Sequence, residues 1–167
     1  LNLLEAWLVQ YSYTFQLYFD FSAYSDMAIG LALMFNIVLP INFRSPYKGT
    51  SIINLWQRWH ITLSRFLGDY VFRSVYRKGS GSTTFYFAIM ATFLVSGFWH
   101  GAGWTFIVWG GLHGIILCAY RALGDKFTLP KIWGRALATL FFFHLVCQCL
   151  DRFGCDTSFH HFVQCFF

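Results

Sequence analysis

The imidazole of His100 sits where the chain can least accommodate a charge. His100 falls in Ser96-Gly97-Phe98-Trp99-His100-Gly101-Ala102-Gly103, a glycine-rich break near the middle of residues 79–120, which contain no Asp, Glu, Lys or Arg. At about 1.5 Å per helical residue, such a run suffices for roughly two passes through a hydrocarbon core about 30 Å thick. An ionisable group at that depth is costly unless it faces a protein interior or a watered cavity, so its default reading is functional. With an ordinary value of about 6.5, an imidazole there can take up or release a proton near neutral pH. Two further places carry chemistry. His60 lies beside Trp56, Arg58 and Trp59, and Ser22 and Asp26 stand four residues apart, on one face of a helix with Ser25 alongside. For Asp26 a structural pairing with an arginine and a direct substrate role stand level, and for His60 an interfacial packing role competes with a place in a site.

The elements that must position these residues follow from composition. Of the 167 residues 57% are hydrophobic, 22% aromatic and 11% charged, whereas soluble domains carry about 25% charged residues. The chain therefore reads as an all-α, polytopic membrane protein. Its net charge of +5 is unevenly spread. Between residues 42 and 84 lie Arg44, Lys48, Arg58, Arg65, Arg73, Arg77 and Lys78 against one acid, Asp69, and Arg121, Lys126, Lys131 and Arg135 follow the uncharged run. By the positive-inside rule both flanks are cytoplasmic and the run goes out and returns, with His100 at the turn. Against so apolar a background these basic residues do not indicate nucleic acid as a partner. No signal peptide is visible. The five cysteines show no Cys-x-x-Cys pair, and their spacing with His144, His160 and His161 matches no common zinc pattern, so no metal is expected.

In chain order, residues 1–19 predict an aromatic-rich helix that leads into Asp20-Phe-Ser-Ala-Tyr-Ser-Asp26 and a second apolar stretch to residue 41. Pro40 and Asn42-Phe-Arg-Ser-Pro-Tyr47 predict an ordered loop. Ser51 is placed to cap a helix over residues 52–70. That helix carries Ile52, Trp56, Trp59, Leu63, Phe66, Leu67 and Tyr70 on one face and Gln57, Arg58, Ser64, Arg65 and Asp69 on the other. Arg65 and Asp69 are spaced to pair, and the whole has the character of an interfacial amphipathic helix. A polar link over residues 78–84 turns the chain back. Residues 85–98 form an outward limb, short for a full span, and 104–120 a returning limb, which together predict a broken or re-entrant helical hairpin with its turn inside the bilayer or at its outer edge. Gly97/Gly101 and Gly110/Gly114 are small-xxx-small pairs that allow close helix approach, and His113 reads as a hydrogen-bonded core residue. A short apolar stretch, 136–146, closes the core (residues 1–146), and residues 147–167 form a tail without clear period.

Four ordered blocks then carry a resemblance: Tyr18-Phe-Asp-Phe-Ser-Ala-Tyr-Ser-Asp-Met-Ala-Ile-Gly30, Asn42-Phe-Arg-Ser-Pro-Tyr47, Leu55-Trp-Gln-Arg-Trp-His-Ile-Thr-Leu-Ser64, and Gly97-Phe-Trp-His-Gly-Ala-Gly-Trp-Thr-Phe106 with Trp109-Gly-Gly-Leu-His-Gly114. Over residues 10–121 the sequence resembles the membrane-bound O-acyltransferase family, in its bacterial alginate O-acetyltransferase-like branch. It departs at Gln57, where a second basic residue is common, at Gly68, where an arginine often stands, and at Gly103, where asparagine is frequent. The tail also departs from the expected ending. The family's earlier spans are absent, so the chain reads as a piece of a longer protein, not expected to act alone.

The resemblance implies O-acyl transfer from a cytoplasmic thioester, acetyl-CoA being the expected donor substrate, to a hydroxyl of an alginate-type exopolysaccharide. Transfer of D-alanine or acylation of a protein is the near alternative, and a non-catalytic transporter or scaffold the distant one. His60 and His100 match the family's two marker histidines, with His100 as general base, a role worth about 10²–10⁴ in rate. Backbone amides at Gly101 and Gly103 are candidate oxyanion donors. Arg58, Trp59, Trp99, Ser22 and Asp26 are candidate substrate contacts, and no Ser or Cys nucleophile or bound cofactor is expected. The implied surroundings are the lipid bilayer of a bacterial inner membrane, crossed several times, and a polysaccharide acceptor or a periplasmic or extracellular acyltransferase partner.

Overall fold

Hydrogen bonding along the first stretch is uninterrupted by the acidic pair at Asp20 and Asp26. The computed structural model describes residues 3–49, 51–101 and 103–123, and in it α1 runs unbroken over Leu3–Met34. Its 32 residues span about 48 Å at 1.5 Å each. Two expected stretches are thus one helix: no Pro or Gly lies between residues 20 and 26, and the Ser22 hydroxyl donates back to Phe19 O (3.3 Å). The helix stops at Met34, short of the expected residue 41. Asn36 adopts φ 58, with Ile37 N–H donating to Ala32 O (2.9 Å) and Asn36 N–H to Leu33 O (2.9 Å). That is the 6→1 and 5→2 closure of a Schellman motif, with Asn in the position glycine usually takes.

The described residues fall into two compact units, one up to Ser64 and the other from Arg65 onward. In the first, a single turn at Pro46–Lys48 follows α1, with Pro46 buried. Gly49 is required there, since a Cβ would lie 2.9 Å from Pro46 O and 3.1 Å from Leu55 N. Ser51 then caps α2 (Ile52–Trp56), its Oγ accepting from Asn54 N–H at 3.1 Å.

The expected continuous amphipathic helix over 52–70 is corrected by the structure. It breaks after Trp56 and resumes as α3 (Ile61–Leu67). The cause is competition for amides. In an unbroken helix Ile61 N–H and Thr62 N–H would bond to the carbonyls of Gln57 and Arg58. Instead Ile61 N–H donates to Asn42 O (2.9 Å) and Thr62 N–H to Asn42 Oδ1 (3.3 Å), while His60 takes φ 42.

The second unit begins within α3 and continues through a π-helical turn, Gly68–Phe72, into the short α4 (Arg73–Val75). The expected Arg65–Asp69 pairing is also corrected: Asp69 bonds Arg73 at 2.9 Å. An acid four residues before a base is the better-oriented helical pair, and both side chains are exposed, so it contributes about 0.2–1 kcal/mol. Phe72 and Tyr76 then pack edge-on against Phe85, at 5.7 and 5.3 Å.

Two long helices complete this unit: α5 (Ser82–His100) and α6 (Trp104–Leu123), joined through residues 101–103. Both are long and apolar enough to cross a membrane, and no strand occurs among the described residues. At 19 residues, α5 exceeds the expected 85–98 because Ser82, Thr83 and Thr84 enter its first turn and His100 its last. Its length of about 28 Å approaches that of the hydrocarbon core.

The two helices run antiparallel and touch through glycine. A Cβ on Gly97 would strike Phe106 O and lie 3.4 Å from Gly110 Cα, and one on Gly110 would strike Phe93 O. A Cβ on Gly114 would lie 2.8 Å from Met90 Sδ. At the far end, Cys118 Sγ lies 3.8 Å from Tyr86 O and the Arg121 guanidinium lies 5.9 Å from the Phe85 ring centre. Arg73, Arg77, Lys78 and Arg121 therefore gather at one end of the hairpin and His100 at the other. Residues 136–146 and the expected 147–167 tail lie outside the described residues.

Gly97→Leu or Gly110→Leu is expected to destabilise the protein by at least about 1–3 kcal/mol, because the obstructing atoms are backbone. Gly30→Ala, where nothing lies within 4 Å, is expected to be neutral or to gain about 0.5–1 kcal/mol as a helix-interior glycine. Thermal unfolding of the variants in detergent measures both.

Candidate active site

In the first unit, His60 is held by a residue eighteen positions away. Asn42 Oδ1 lies 3.0 Å from His60 Nδ1 and accepts from the Thr62 hydroxyl at 2.9 Å and the Thr62 amide at 3.3 Å. The same carboxamide donates through Nδ2 to Ser25 Oγ (3.2 Å), which ties the loop to α1. The His60 ring meets Phe21 edge-on at 4.9 Å and lies near-parallel to Phe43 at 6.4 Å. Phe21 and Ser25 extend a stripe on α1 begun by Thr14, whose carbonyl accepts the Tyr47 hydroxyl (2.9 Å), and Tyr18, which packs on Tyr47 at 5.1 Å. Burial pushes the His60 imidazole down from 6.5 to about 4, so at neutral pH it is uncharged.

The neighbours of His60 in sequence bind the protein itself. Arg58 Nε donates to Asn54 Oδ1 (2.9 Å) and Nη1 to Arg44 O (3.2 Å), while Arg44 N–H donates back to Arg58 O (3.0 Å). Trp59 is buried among Tyr18, Phe43 and Tyr47. Ser22 is occupied with Phe19 O, and Asp26 is exposed. The α1 hydroxyl that the Asn42 side chain reaches is that of Ser25.

In the second unit His100 closes α5 and is 5% exposed. Its ring is met edge-on by Trp99 at 4.9 Å and Trp109 at 5.1 Å, and Trp99 is itself 46% exposed. Gly101 fits because a Cβ there would lie 2.5 Å from the Phe106 ring. Gly103 is exposed, and its carbonyl accepts Phe106 N–H at 3.1 Å, closing the first turn of α6. The imidazole and the amide-rich opening of α6 are thus three residues apart along the chain. One turn further, Trp109 packs at 4.4 Å on His113, whose Nδ1–H donates to Trp109 O (2.8 Å). His113 is 2% exposed and is the hydrogen-bonded core residue that the sequence indicated.

Among the described residues no cluster of three or more His, Cys, Asp or Glu is placed to hold a metal. His144, His160, His161 and four of the cysteines lie outside them.

A family model for membrane-bound O-acyltransferases matches residues 3–150. The chain belongs to the membrane-bound O-acyltransferase family. It is 53% identical to the peptidoglycan O-acetyltransferase of Helicobacter pylori over 79% of this chain and 26% of that protein. It is 52% identical to the "probable alginate O-acetylase" of Azotobacter vinelandii over 71% of this chain and 24% of that one. With the teichoic acid D-alanyltransferase of Bacillus subtilis it shares 30% identity over 92% of the chain and 42% of the relative. The chain thus spans about a quarter of the length of the first two relatives. The residue whose hold on His60 sequence reasoning missed is Asn42. Its signal was its place in the block Asn42-Phe-Arg-Ser-Pro-Tyr47, read only as a loop.

His60 supplies a stability prediction. In the window from about 6.5 down to about 4 the unfolded chain binds a proton that the buried ring refuses, so stability falls as pH falls through it. Melting temperatures of wild type and His60→Gln in detergent, measured across that window, are expected to show a shallower acid decline in the variant.

Proposed function

We propose that the protein to which this chain belongs transfers an acyl group, acetyl first among the candidates, from a thioester donor to a hydroxyl of a cell-envelope or secreted polysaccharide. The observation that carries this reading is family membership combined with the position of His100 at the end of a membrane-length hairpin, opposite its cluster of arginine and lysine. By the positive-inside rule the basic end is cytoplasmic, and the histidine turn lies towards the outer edge of the bilayer. The protein is accordingly a multi-pass protein of a bacterial inner membrane, and its remaining spans complete the path between donor and acceptor.

In this mechanism His100 is the general base. Its imidazole takes the proton of the acceptor hydroxyl as the oxygen attacks the thioester carbonyl, and the thiol departs with a proton when the tetrahedral intermediate collapses. Backbone amides at Gly101 and Gly103 serve as the oxyanion donors, with the N-terminus of α6 favouring negative charge beside Gly103. His60 is the second essential imidazole. Exposed Trp99 and Asp26, with Ser22 beside it, contact substrate; Arg58 and Trp59 serve by holding the segment that carries His60. Basic side chains of the same flank attract the phosphates of acetyl-CoA, the donor this reading names. The acceptor is reached directly or through a periplasmic or extracellular partner.

A second reading, D-alanyl transfer to teichoic acid, is favoured by the relative that aligns with 92% of the chain. The two are separated by supplying radiolabelled acetyl-CoA or activated D-alanine to membranes containing the full-length protein and following label into polymer. His100→Ala is expected to lower transfer at least about 10²–10⁴-fold with unchanged membrane abundance, and His60→Ala to lower it severely. Retention of more than a few per cent of activity in His100→Ala removes the base assignment.

A further inference from the structure

The carboxamide of Asn42 decides which nitrogen of His60 carries the proton. We infer that Asn42 is a positioning residue that holds His60 as the Nδ1–H tautomer, leaving Nε2 as a hydrogen-bond acceptor. His60 then serves a group that brings its own proton, a hydroxyl or a thiol, and not an anion. The second half of this inference rests on the acyl-transfer reading above; the first stands on geometry.

The orientation of an asparagine amide is fixed by any partner whose role is unambiguous. Thr62 N–H is such a partner, because a backbone amide only donates. The Asn42 atom 3.3 Å from it is therefore the oxygen. That same oxygen lies 3.0 Å from His60 Nδ1. An oxygen of this kind only accepts, so Nδ1 carries the hydrogen. In a neutral imidazole the other nitrogen then holds the lone pair. The Thr62 hydroxyl sits 2.9 Å from the oxygen and 3.5 Å from Nδ1, so its proton goes to the nearer acceptor and leaves the assignment unchanged. The other end of the amide donates to Ser25 Oγ at 3.2 Å, which resists rotation of the group. Phe21 across the ring edge and Phe43 along its face hold the imidazole plane.

The ring is also offered at some conformational expense. His60 has φ 42 at the break between α2 and α3, a left-handed setting unfavourable for a non-glycine residue. The Asn42 bonds to Ile61 N–H and Thr62 N–H sustain that break, so one residue sets both the backbone turn and the proton position. Low basicity from burial keeps the ring neutral at physiological pH, as the tautomer argument requires.

The test uses the full-length protein, labelled with ¹⁵N-histidine and purified in detergent, with the His60 signal assigned by its loss in His60→Gln. Nitrogen shifts and two-bond couplings are expected to show Nδ1–H at neutral pH. Asn42→Leu, of similar branched shape but larger and without an acceptor, is expected to lose that tautomer preference and about 10–100-fold in turnover, the range for removing the outer partner of a metal-ligating histidine. Asn42→Asp keeps the acceptor and is expected to keep both the tautomer and most of the turnover. A wild-type signal showing Nε2–H overturns the inference, as does an Asn42→Leu protein that turns over like wild type at equal abundance. A wild-type Nδ1–H signal in a protein that transfers no acyl group instead sinks the functional reading and leaves the proton placement standing.

Discussion

Two backbones in contact, with no side chain between them, set the geometry of the α5–α6 hairpin. Gly97 and Gly110 let α5 and α6 approach until each glycine faces a carbonyl of the opposite helix. In lipid such proximity matters more than in water, because apolar side chains gain little by leaving hydrocarbon for one another and packing has to supply the attraction. Polar side chains on these helices turn back to backbone oxygens: Thr92 donates to Ala88 O at 2.7 Å and His113 to Trp109 O at 2.8 Å. From this contact follows the setting of His100. With Gly110 against Phe93 and Gly97 against Phe106, the start of α6 can only lie beside the end of α5, and Trp109 meets the imidazole at 5.1 Å.

The first half is organised on the opposite principle, by one polar side chain in place of two missing ones. Asn42 bonds through its backbone carbonyl to Ile61, through its side-chain oxygen to Thr62 and His60, and through its side-chain nitrogen to Ser25. Aromatic rings from α1, the loop and α2's end enclose the arrangement, with Phe43 against Phe21 at 4.9 Å and against Trp59 at 5.2 Å. Polar groups so enclosed gain from the low local dielectric when they are paired, which is why one carboxamide can outbid a regular helix.

What was legible in the sequence and what was not divide along the range of the deciding interaction. Ser51 as a helix cap, the glycines of the hairpin and the core role of His113 depend on neighbours within four residues or on a helical repeat, and each reads directly from residue type and spacing. The break at residues 57–60 does not, because the period of Ile52, Trp56, Trp59 and Leu63 remains helical and only a partner 18–20 residues upstream removes the amides a helix would use. The join across residues 20–26 was obscured by its charges, though charge alone does not end a helix. Asp69 was assigned its upstream neighbour when the better-oriented arginine lay downstream. The four blocks pointed to the family and to both histidines; the geometry that holds His60 lay in Asn42, which a loop motif conceals.

The three described histidines are held in three different ways, and the difference bears on which of them does chemistry. His113 gives its proton to the carbonyl of its own helix four residues back, a local bond that any helical register provides, and its ring packs beside Trp109 and Phe93. His100 ends its helix between two indoles, where the chain must already turn. Of the three, His60 is the one set in a left-handed backbone, and a side chain eighteen residues away fixes its ring. A residue that only filled that volume would gain nothing from the setting, since glycine would relieve the turn and a larger apolar side chain on Phe43's side would replace the ring. Strain maintained by surrounding hydrogen bonds is what a positioned group requires, and the physical inference runs from the outlier to the role. On that ground His60 is the positioned group and His113 its internal contrast, while His100 enters the transfer reading by its place at the end of α5.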